Sequence, residues 1–151
     1  MIERPLFQAL FRVSIRIFLF LALCFSHFIS AEQISVMTYN LKNLFDAQDD
    51  VGKDDKTYLP IVLKNNDDHI MGCLKINNSK WRNECLFLDW TQEVVQKKIS
   101  NISDLLISMG ESQPDIIAIQ EIENLNVLRM LFSKIETLGY TDFALIEGED
   151  Y

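Results

Sequence analysis

The stretch "PDIIAIQEIEN", from Pro114 to Asn124, decides the fold that this sequence predicts. Residues Ile116 to Ile119 form a short apolar run without polar alternation, which is typical of a strand buried on both faces. This run leads directly into Gln120 and Glu121, so a buried strand would end in a carboxylate. In open α/β sheets the active groups collect outside the carboxyl ends of the strands, and Glu121 is therefore a candidate site residue.

Two further stretches have strand character. The residues "ISVMTY", from Ile34 to Tyr39, are rich in β-branched and aromatic types, and they are followed by Asn40. Near the other end of the chain, "DFALIE" from Asp142 to Glu147 predicts a third strand.

Two amphipathic helices are predicted between these strands. The first is capped by Asp89 and ends at Gly110, and the second is capped by Asn124 or Asn126 and ends at Gly139. The order strand, helix, strand, helix, strand predicts an α/β architecture in which helices cover a sheet.

Residues 46–84 lack any helical or strand periodicity, and they are predicted to form a long irregular insertion. Cys73 lies inside this insertion and Cys85 directly follows it. In an exported chain this even pair indicates a disulfide, and two unrelated free thiols are the alternative. His69 is interpreted as a solvated loop residue.

Residues 1–31 have the pattern of a secretory signal peptide. Arginines precede a mainly apolar run from Ile17 to Ile29, which is shorter than the roughly 20 apolar residues of a transmembrane helix. Cleavage after Ala31 is expected, which predicts a periplasmic or secreted protein without stable membrane association. An uncleaved membrane anchor is the alternative.

The region that remains, residues 32–151, is acidic and large enough for one small domain. Residues 1–31 hold three arginines and one glutamate, so the net charge of −8 for the whole chain becomes −10 without them. This balance excludes a basic surface that follows a phosphate backbone, but it leaves room for a nuclease whose metal ions neutralise the phosphate charge. The clustered acids Asp49, Asp50, Asp54 and Asp55 lack the regular spacing of a Ca²⁺-binding loop, and we interpret them as a solvated acidic loop.

Asn40 and Glu121 follow two of the predicted strands. An amide oxygen and a carboxylate at adjacent strand ends form a hard-oxygen site that suits Mg²⁺, with Mn²⁺ or Ca²⁺ as further candidates. The alternative is that Asn40 only begins a turn and Glu121 only caps the next helix.

The motif "MTYNLKNLFD", from Met37 to Asp46, and the motif "PDIIAIQEIEN" together resemble the opening motifs of the endonuclease/exonuclease/phosphatase family, which has the fold of deoxyribonuclease I. The resemblance implies a four-layer α/β/β/α sandwich, two packed mixed sheets flanked by helices, of which residues 32–151 would form the amino-terminal portion. It implies that Glu121 ligates a metal ion and that Asn40 binds or orients that ion. The insertion at 46–84 resembles that of exported bacterial members with a cysteine pair there.

The resemblance implies a divalent-metal-dependent phosphoesterase, in the first place an exported endonuclease or exonuclease that acts on nucleic acid. Family members that act on sphingomyelin or inositol phosphates are an alternative, and so is a truncated chain without catalysis. Lys42 stands where some members have an acidic residue. The family's later Asp-x-Asn and Ser-Asp-His motifs would lie beyond Tyr151, so we expect this chain alone to be inactive. The sequence indicates no particular protein partner.

Overall fold

The computed structural model describes residues 32–146. The predicted signal peptide, its cleavage after Ala31 and the last residue of the predicted third strand, Glu147, lie outside this range.

Two strands in the described part of the chain form a parallel sheet. These are β1 (Val36–Leu44) and β2 (Ile116–Ile122), and their register pairs Val36 with Ile116 and Asn40 with Gln120. Because the strands run in the same direction, their carboxyl ends meet at one edge of the sheet. The first two of the three predicted strands are therefore present. β1 begins at Val36 rather than at Ile34, and both strands extend beyond the end of the run that predicts them.

The helices of residues 32–146 make the fold a mixed α/β one, as the order of elements predicts. Four of them connect the two strands, and one follows β2: α1 (Ile61–Lys64), α2 (Asp67–Leu74), α3 (Ser79–Phe87), α4 (Gln92–Ser108) and α5 (Leu125–Ile135). Short 3₁₀ turns lie at Lys56–Tyr58, Gly110–Ser112 and Glu136–Leu138.

The hydrophobic core lies between the sheet and the two longest helices. Val95, Ile99 and Leu106 of α4 are buried against Val127 and Leu131 of α5. From the sheet, the following side chains pack onto this core: Met37, Tyr39, Leu41, Leu44, Ile117, Ile119 and Ile122. The three-and-four spacing of apolar residues in the helices thus meets one alternating face of each strand.

The prediction that β2 is buried on both faces is wrong in this structure. Ile117 and Ile119 are half-buried on the core side, whereas Ile116 is 51% exposed and Ala118 is also exposed. The helices α4 and α5 cover only the core side of the two strands, so the run of apolar residues has one covered and one open face.

The prediction that residues 46–84 are irregular is also wrong, because α1, α2 and most of α3 lie within this insertion. These helices are short, and a helix of one or two turns has too few residues to show an apolar stripe. Their signals are local: the side chain of Asn66 accepts a hydrogen bond from the amide of His69, and that of Asn78 accepts from the amides of Lys80 and Trp81.

Two buried groups hold the insertion together. A disulfide joins Cys73 of α2 to Cys85 of α3, which stabilises a closed loop of this size by about 3 kcal/mol. His69 is buried rather than solvated, and its Nε2 lies 2.9 Å from the carbonyl oxygen of Cys85 and 3.2 Å from Cys73 Sγ. The interpretation of His69 as a solvated loop residue is therefore wrong, because that interpretation rests on an irregular loop that is helical here.

The helix starts show how tertiary contacts select among candidate caps. Thr91 caps α4, and the carboxylate of Asp89 instead accepts a hydrogen bond from the amide of Ile61 at 2.8 Å. Asn124 caps α5, with its Oδ1 accepting from the amide of Val127 at 3.0 Å. The capping role predicted for Asp89 is wrong, and of the two asparagines predicted for α5 the first is the cap.

The predicted third strand is absent from its described part, residues 142–146. A strand requires a neighbour for its backbone hydrogen bonds, and these residues form no ladder with β2. The segment is attached by a side chain instead, because the ring of Phe143 contacts that of Phe132 with the centroids 4.6 Å apart.

Candidate metal centre

The parallel register brings Asn40 and Glu121 into direct contact toward the carboxyl ends of the strands, where Asn40 is the last residue of β1 before the irregular part of the ladder. The Nδ2 of Asn40 donates a hydrogen bond to Oε1 of Glu121 at 2.7 Å, and both side chains are exposed. Glu121 does not cap the following helix, since Asn124 does so. Asn40 does form a turn, because its Oδ1 accepts from the amide of Lys42 at 2.7 Å.

The backbone around the two residues adopts an uncommon conformation. Lys42, Asn43 and Glu121 have φ angles of 51°, 63° and 58°, in the left-handed region that non-glycine residues rarely enter. The ladder between β1 and β2 is also irregular between Asn40 and Leu44. Strained backbone of this kind concentrates at functional sites, where surrounding contacts maintain it.

The left-handed turn supplies a second hydrogen bond to the glutamate. The backbone amide of Asn43 donates to Oε2 of Glu121 at 3.1 Å, so each carboxylate oxygen has its own donor. One donor is a side chain from the strand end and the other is a backbone amide from the turn. The carboxylate is therefore held in one orientation although it is exposed to solvent.

Lys98 of α4 stabilises this turn through its ammonium group. Its Nζ donates to the carbonyl oxygens of Lys42 at 2.5 Å and of Asn43 at 3.0 Å, and it lies 5.2 Å from the centre of the Trp90 ring. Burial lowers the pKa of Lys98, and the negative charge of Glu121 opposes that shift. A lysine side chain is long, so its ammonium can reach a backbone carbonyl outside its own helix. The helical pattern of the sequence does not reveal such a contact.

These residues fit a magnesium ion in its usual protein environment. Mg²⁺ is commonly held by one or two carboxylates, and waters and substrate phosphate oxygens complete its shell. Glu121 offers an exposed, oriented carboxylate. Asn40 contacts this carboxylate through its Nδ2, while its amide oxygen accepts the hydrogen bond from the Lys42 amide.

A second group of acidic residues lies close by and was not identified as a unit from the sequence. We call Asp46, Asp50, Asp55 and Glu123 the acidic cluster. Asp46 and Asp55 are almost fully buried. Of the four acids interpreted as a solvated loop, Asp49 and Asp54 are exposed, whereas Asp50 is half-buried and Asp55 is buried, so the interpretation is wrong for Asp55. Burial raises the pKa of Asp55, and the charges of Asp49 and Asp50 add to that rise.

The pKa of Glu123 is strongly raised. Burial raises the pKa of its carboxyl to about 8, and the charges of Asp46, Asp55 and Asp50 add to the rise, while the hydrogen bond from the Asp46 amide opposes it. Three of the four members come from the insertion and one from the end of β2, so no short motif could have revealed the cluster.

Among residues 32–146, none of the helices combines the length and the apolar character needed to cross a membrane. The chain matches no protein-family model, no curated protein and no solved structure in the comparisons made with it.

Proposed function

We propose that this chain forms the amino-terminal portion of an exported, divalent-metal-dependent phosphoesterase of the endonuclease/exonuclease/phosphatase family. The activity that we propose first is that of a nuclease. The observation that carries the proposal is the hydrogen bond between Asn40 and Glu121 at the shared end of two parallel strands. The motifs that resemble the family are the same segments that supply these two residues.

The open face of the sheet supports the proposed four-layer sandwich. Val36 is 61% exposed and Ile116 is 51% exposed, and these apolar side chains lie on the face that α4 and α5 leave uncovered. In a four-layer sandwich a second sheet packs on this face, and such a sheet would remove these side chains from water.

Glu121 is the proposed ligand of Mg²⁺, and its two hydrogen bonds fix where the ion would be held. When bound, the ion supplies Lewis-acid stabilisation of the charge that develops on a phosphoryl oxygen. Asn40 and the amide of Asn43 orient the carboxylate, and Lys98 maintains the turn that carries the Asn43 amide.

The test combines metal binding with hydrolysis. Mg²⁺ affinity of the 151-residue chain is measured by calorimetry, and Mg²⁺-dependent hydrolysis by the complete gene product is measured on DNA, RNA, sphingomyelin and inositol phosphates. Glu121→Gln is expected to abolish both, because the amide cannot replace an anionic ligand. The control is Glu111→Gln, which removes the same charge from an exposed position in a 3₁₀ turn.

Unchanged Mg²⁺ affinity and unchanged hydrolysis in Glu121→Gln would contradict the proposal. Loss of both in Glu111→Gln would show that net charge, rather than a site at Glu121, governs the metal response. Hydrolysis of sphingomyelin or inositol phosphates without hydrolysis of nucleic acid would support the metal site but contradict the assignment as a nuclease.

A further inference from the structure

The acidic cluster joins three parts of the chain that are far apart in sequence. Asp46 follows β1, Asp50 and Asp55 lie in the loop before the 3₁₀ turn at Lys56–Tyr58, and Glu123 follows β2. The amide of Asp46 donates to Oε2 of Glu123 at 2.7 Å, and the amide of Asp50 donates to Oδ2 of Asp55 at 2.6 Å. The cluster therefore connects the beginning of the insertion to the end of the second strand.

The side-chain amides near the cluster are directed to only two of its members. Asn124 Nδ2 donates to Oδ2 of Asp46 at 3.2 Å and to Oδ2 of Asp50 at 3.0 Å, and Asn126 Nδ2 donates to Oδ2 of Asp46 at 3.0 Å. Asp55 and Glu123 receive backbone amides, and each accepts on one of its oxygens.

Two carboxylate oxygens of the cluster are buried without a hydrogen-bond partner in the described structure. They are Oδ1 of Asp55, whose residue is only 2% exposed, and Oε1 of Glu123. Buried polar atoms almost always have a partner, because desolvation of an unpaired carboxylate oxygen is unfavourable. The unpaired oxygens belong to two members of the same cluster, and a bound cation would provide both with a partner.

The spacing of the carboxylates matches a single bound ion. One carboxylate oxygen each from Asp50, Asp55 and Glu123 lies within 4.8 Å of the others. Two oxygen ligands that bind the same Ca²⁺ at about 2.4 Å are at most about 4.8 Å apart. The spacing of these three groups therefore lies within the range that ligands of one calcium ion span.

We propose that the acidic cluster is a calcium site, separate from the Asn40 and Glu121 pair, with Asp50, Asp55 and Glu123 as ligands. Ca²⁺ accepts six to eight oxygens in flexible geometry and is commonly held by several carboxylates from a loop, whereas Mg²⁺ requires a near-octahedral shell and retains waters. Asp46 orients Glu123 through its backbone amide and is itself held by Asn124 and Asn126.

The position of this site indicates a structural role for the ion. It attaches the loop that contains Asp50 and Asp55 to the strand end that carries Glu121 two residues before Glu123. Calcium would thereby stabilise the start of the insertion and the backbone beside the proposed magnesium ligand. This inference does not depend on the proposed phosphoesterase activity, since its geometry includes neither Asn40 nor Glu121.

The experiment is thermal unfolding of the 151-residue chain in EDTA, in about 1 mM Ca²⁺ and in about 1 mM Mg²⁺, with calorimetric titration of Ca²⁺ alone. We expect Ca²⁺ to raise the Tm by about 5 °C relative to EDTA and Mg²⁺ to raise it less. Asp55→Asn is expected to remove the calcium response. Asp54→Asn is the matched control, because it removes a neighbouring exposed carboxylate and should retain the response.

A second comparison separates loss of the ion from loss of the fold. In EDTA, Asp55→Asn should unfold no earlier than the unchanged chain, because it removes one buried negative charge from a crowded group. Should Asp55→Asn fail to fold, Glu123→Gln takes its place and is expected to lose the calcium response.

Glu121→Gln should keep the full calcium response while losing Mg²⁺ affinity, which distinguishes the two sites. The proposal is overturned if the unchanged chain has the same Tm in Ca²⁺ and in EDTA, or if Mg²⁺ shifts it equally. It is also overturned if Asp55→Asn retains the shift or if Glu121→Gln abolishes it.

Discussion

Two hydrogen bonds hold the carboxylate of Glu121, and their donors belong to β1 and to the turn within it. Asn40 supplies a side-chain amide, and Asn43 supplies a backbone amide from a left-handed turn. The sequence could identify Asn40 and Glu121, because each directly follows a recognisable strand. It could not identify the Asn43 amide or Lys98, because their contribution depends on the backbone conformation of the turn.

At the residue scale, the orienting role of Asn40 can be tested by Asn40→Ala. We expect the Mg²⁺ affinity to fall about tenfold, because residues that orient a ligating carboxylate typically contribute 10- to 100-fold to metal affinity. Calorimetric titration of Mg²⁺ measures the change. Gln120→Ala is the control, since Gln120 is the exposed neighbour of Glu121 on the same strand and its side-chain amide donates to the Ala118 carbonyl. Equal affinity in Asn40→Ala and in the unchanged chain would remove Asn40 from the site.

At the scale of elements, the insertion is held by a buried lysine. Lys64 at the end of α1 is 3% exposed, and its Nζ donates to the carbonyl oxygens of Thr57 and Leu88, each at 2.7 Å. Burial lowers the pKa of Lys64 to about 8, and the charge of Asp89 opposes this shift. The ammonium therefore links α1 to the chain on either side of it, which a plain sequence pattern does not show.

The lowered pKa of Lys64 predicts a pH dependence of stability. Between about pH 8 and pH 10.5 the unfolded chain keeps the Lys64 proton and the folded chain loses it, so the free energy of unfolding should rise with pH through this window. Below pH 8 both states bind the proton and this contribution is absent. The increase should be at most about 3 kcal/mol, because a shift of one pKa unit corresponds to about 1.4 kcal/mol and the carbonyl hydrogen bonds favour the charged form.

Urea unfolding at a series of pH values measures this effect, with Lys64→Met as the reference that cannot titrate. The difference in unfolding free energy between the unchanged chain and Lys64→Met should increase from pH 8 to pH 10. A difference that stays constant, or that decreases, would show that Lys64 keeps an ordinary pKa in the folded state.

At the scale of the whole molecule, the described sheet has one covered and one open face. The sequence pattern of β2 predicts burial on both faces, whereas the structure leaves one face of this strand exposed to solvent. Val36 and Ile116 are 61% and 51% exposed, so apolar side chains of both strands are presented to water on this face. Contiguous exposed apolar surface commonly marks an interaction surface.

We therefore expect the 151-residue chain to bind an apolar fluorescent dye through this face. The double variant Val36→Thr with Ile116→Thr should reduce dye fluorescence severalfold, because threonine keeps the strand preference and puts a hydroxyl in place of a methyl group of Val36 and the ethyl group of Ile116. The control is Val62→Thr with Leu63→Thr, which changes exposed apolar residues of α1 instead. An equal reduction in both double variants would show that the dye has no preference for the sheet.

The sequence by itself determines the two strands and the two longest helices, whereas it does not reveal the short helices α1, α2 and α3. Its apolar periodicity predicts β1, β2, α4 and α5, and the positions of Asn40 and Glu121 at the strand ends follow from it. Such local patterns are read directly from neighbouring residues, because side-chain periodicity reflects which face of an element is buried.

Only the tertiary structure decided the contacts between segments that are distant in sequence. These include the hydrogen bond that joins Asn40 to Glu121, the turn held by Lys98, and the convergence of Asp46, Asp50, Asp55 and Glu123. Each depends on the register of two parallel strands and on the path of the insertion, which bring together residues separated by most of the described chain. The physical reason is that hydrogen bonds and charge interactions act over a few ångströms in space, whatever the distance along the sequence.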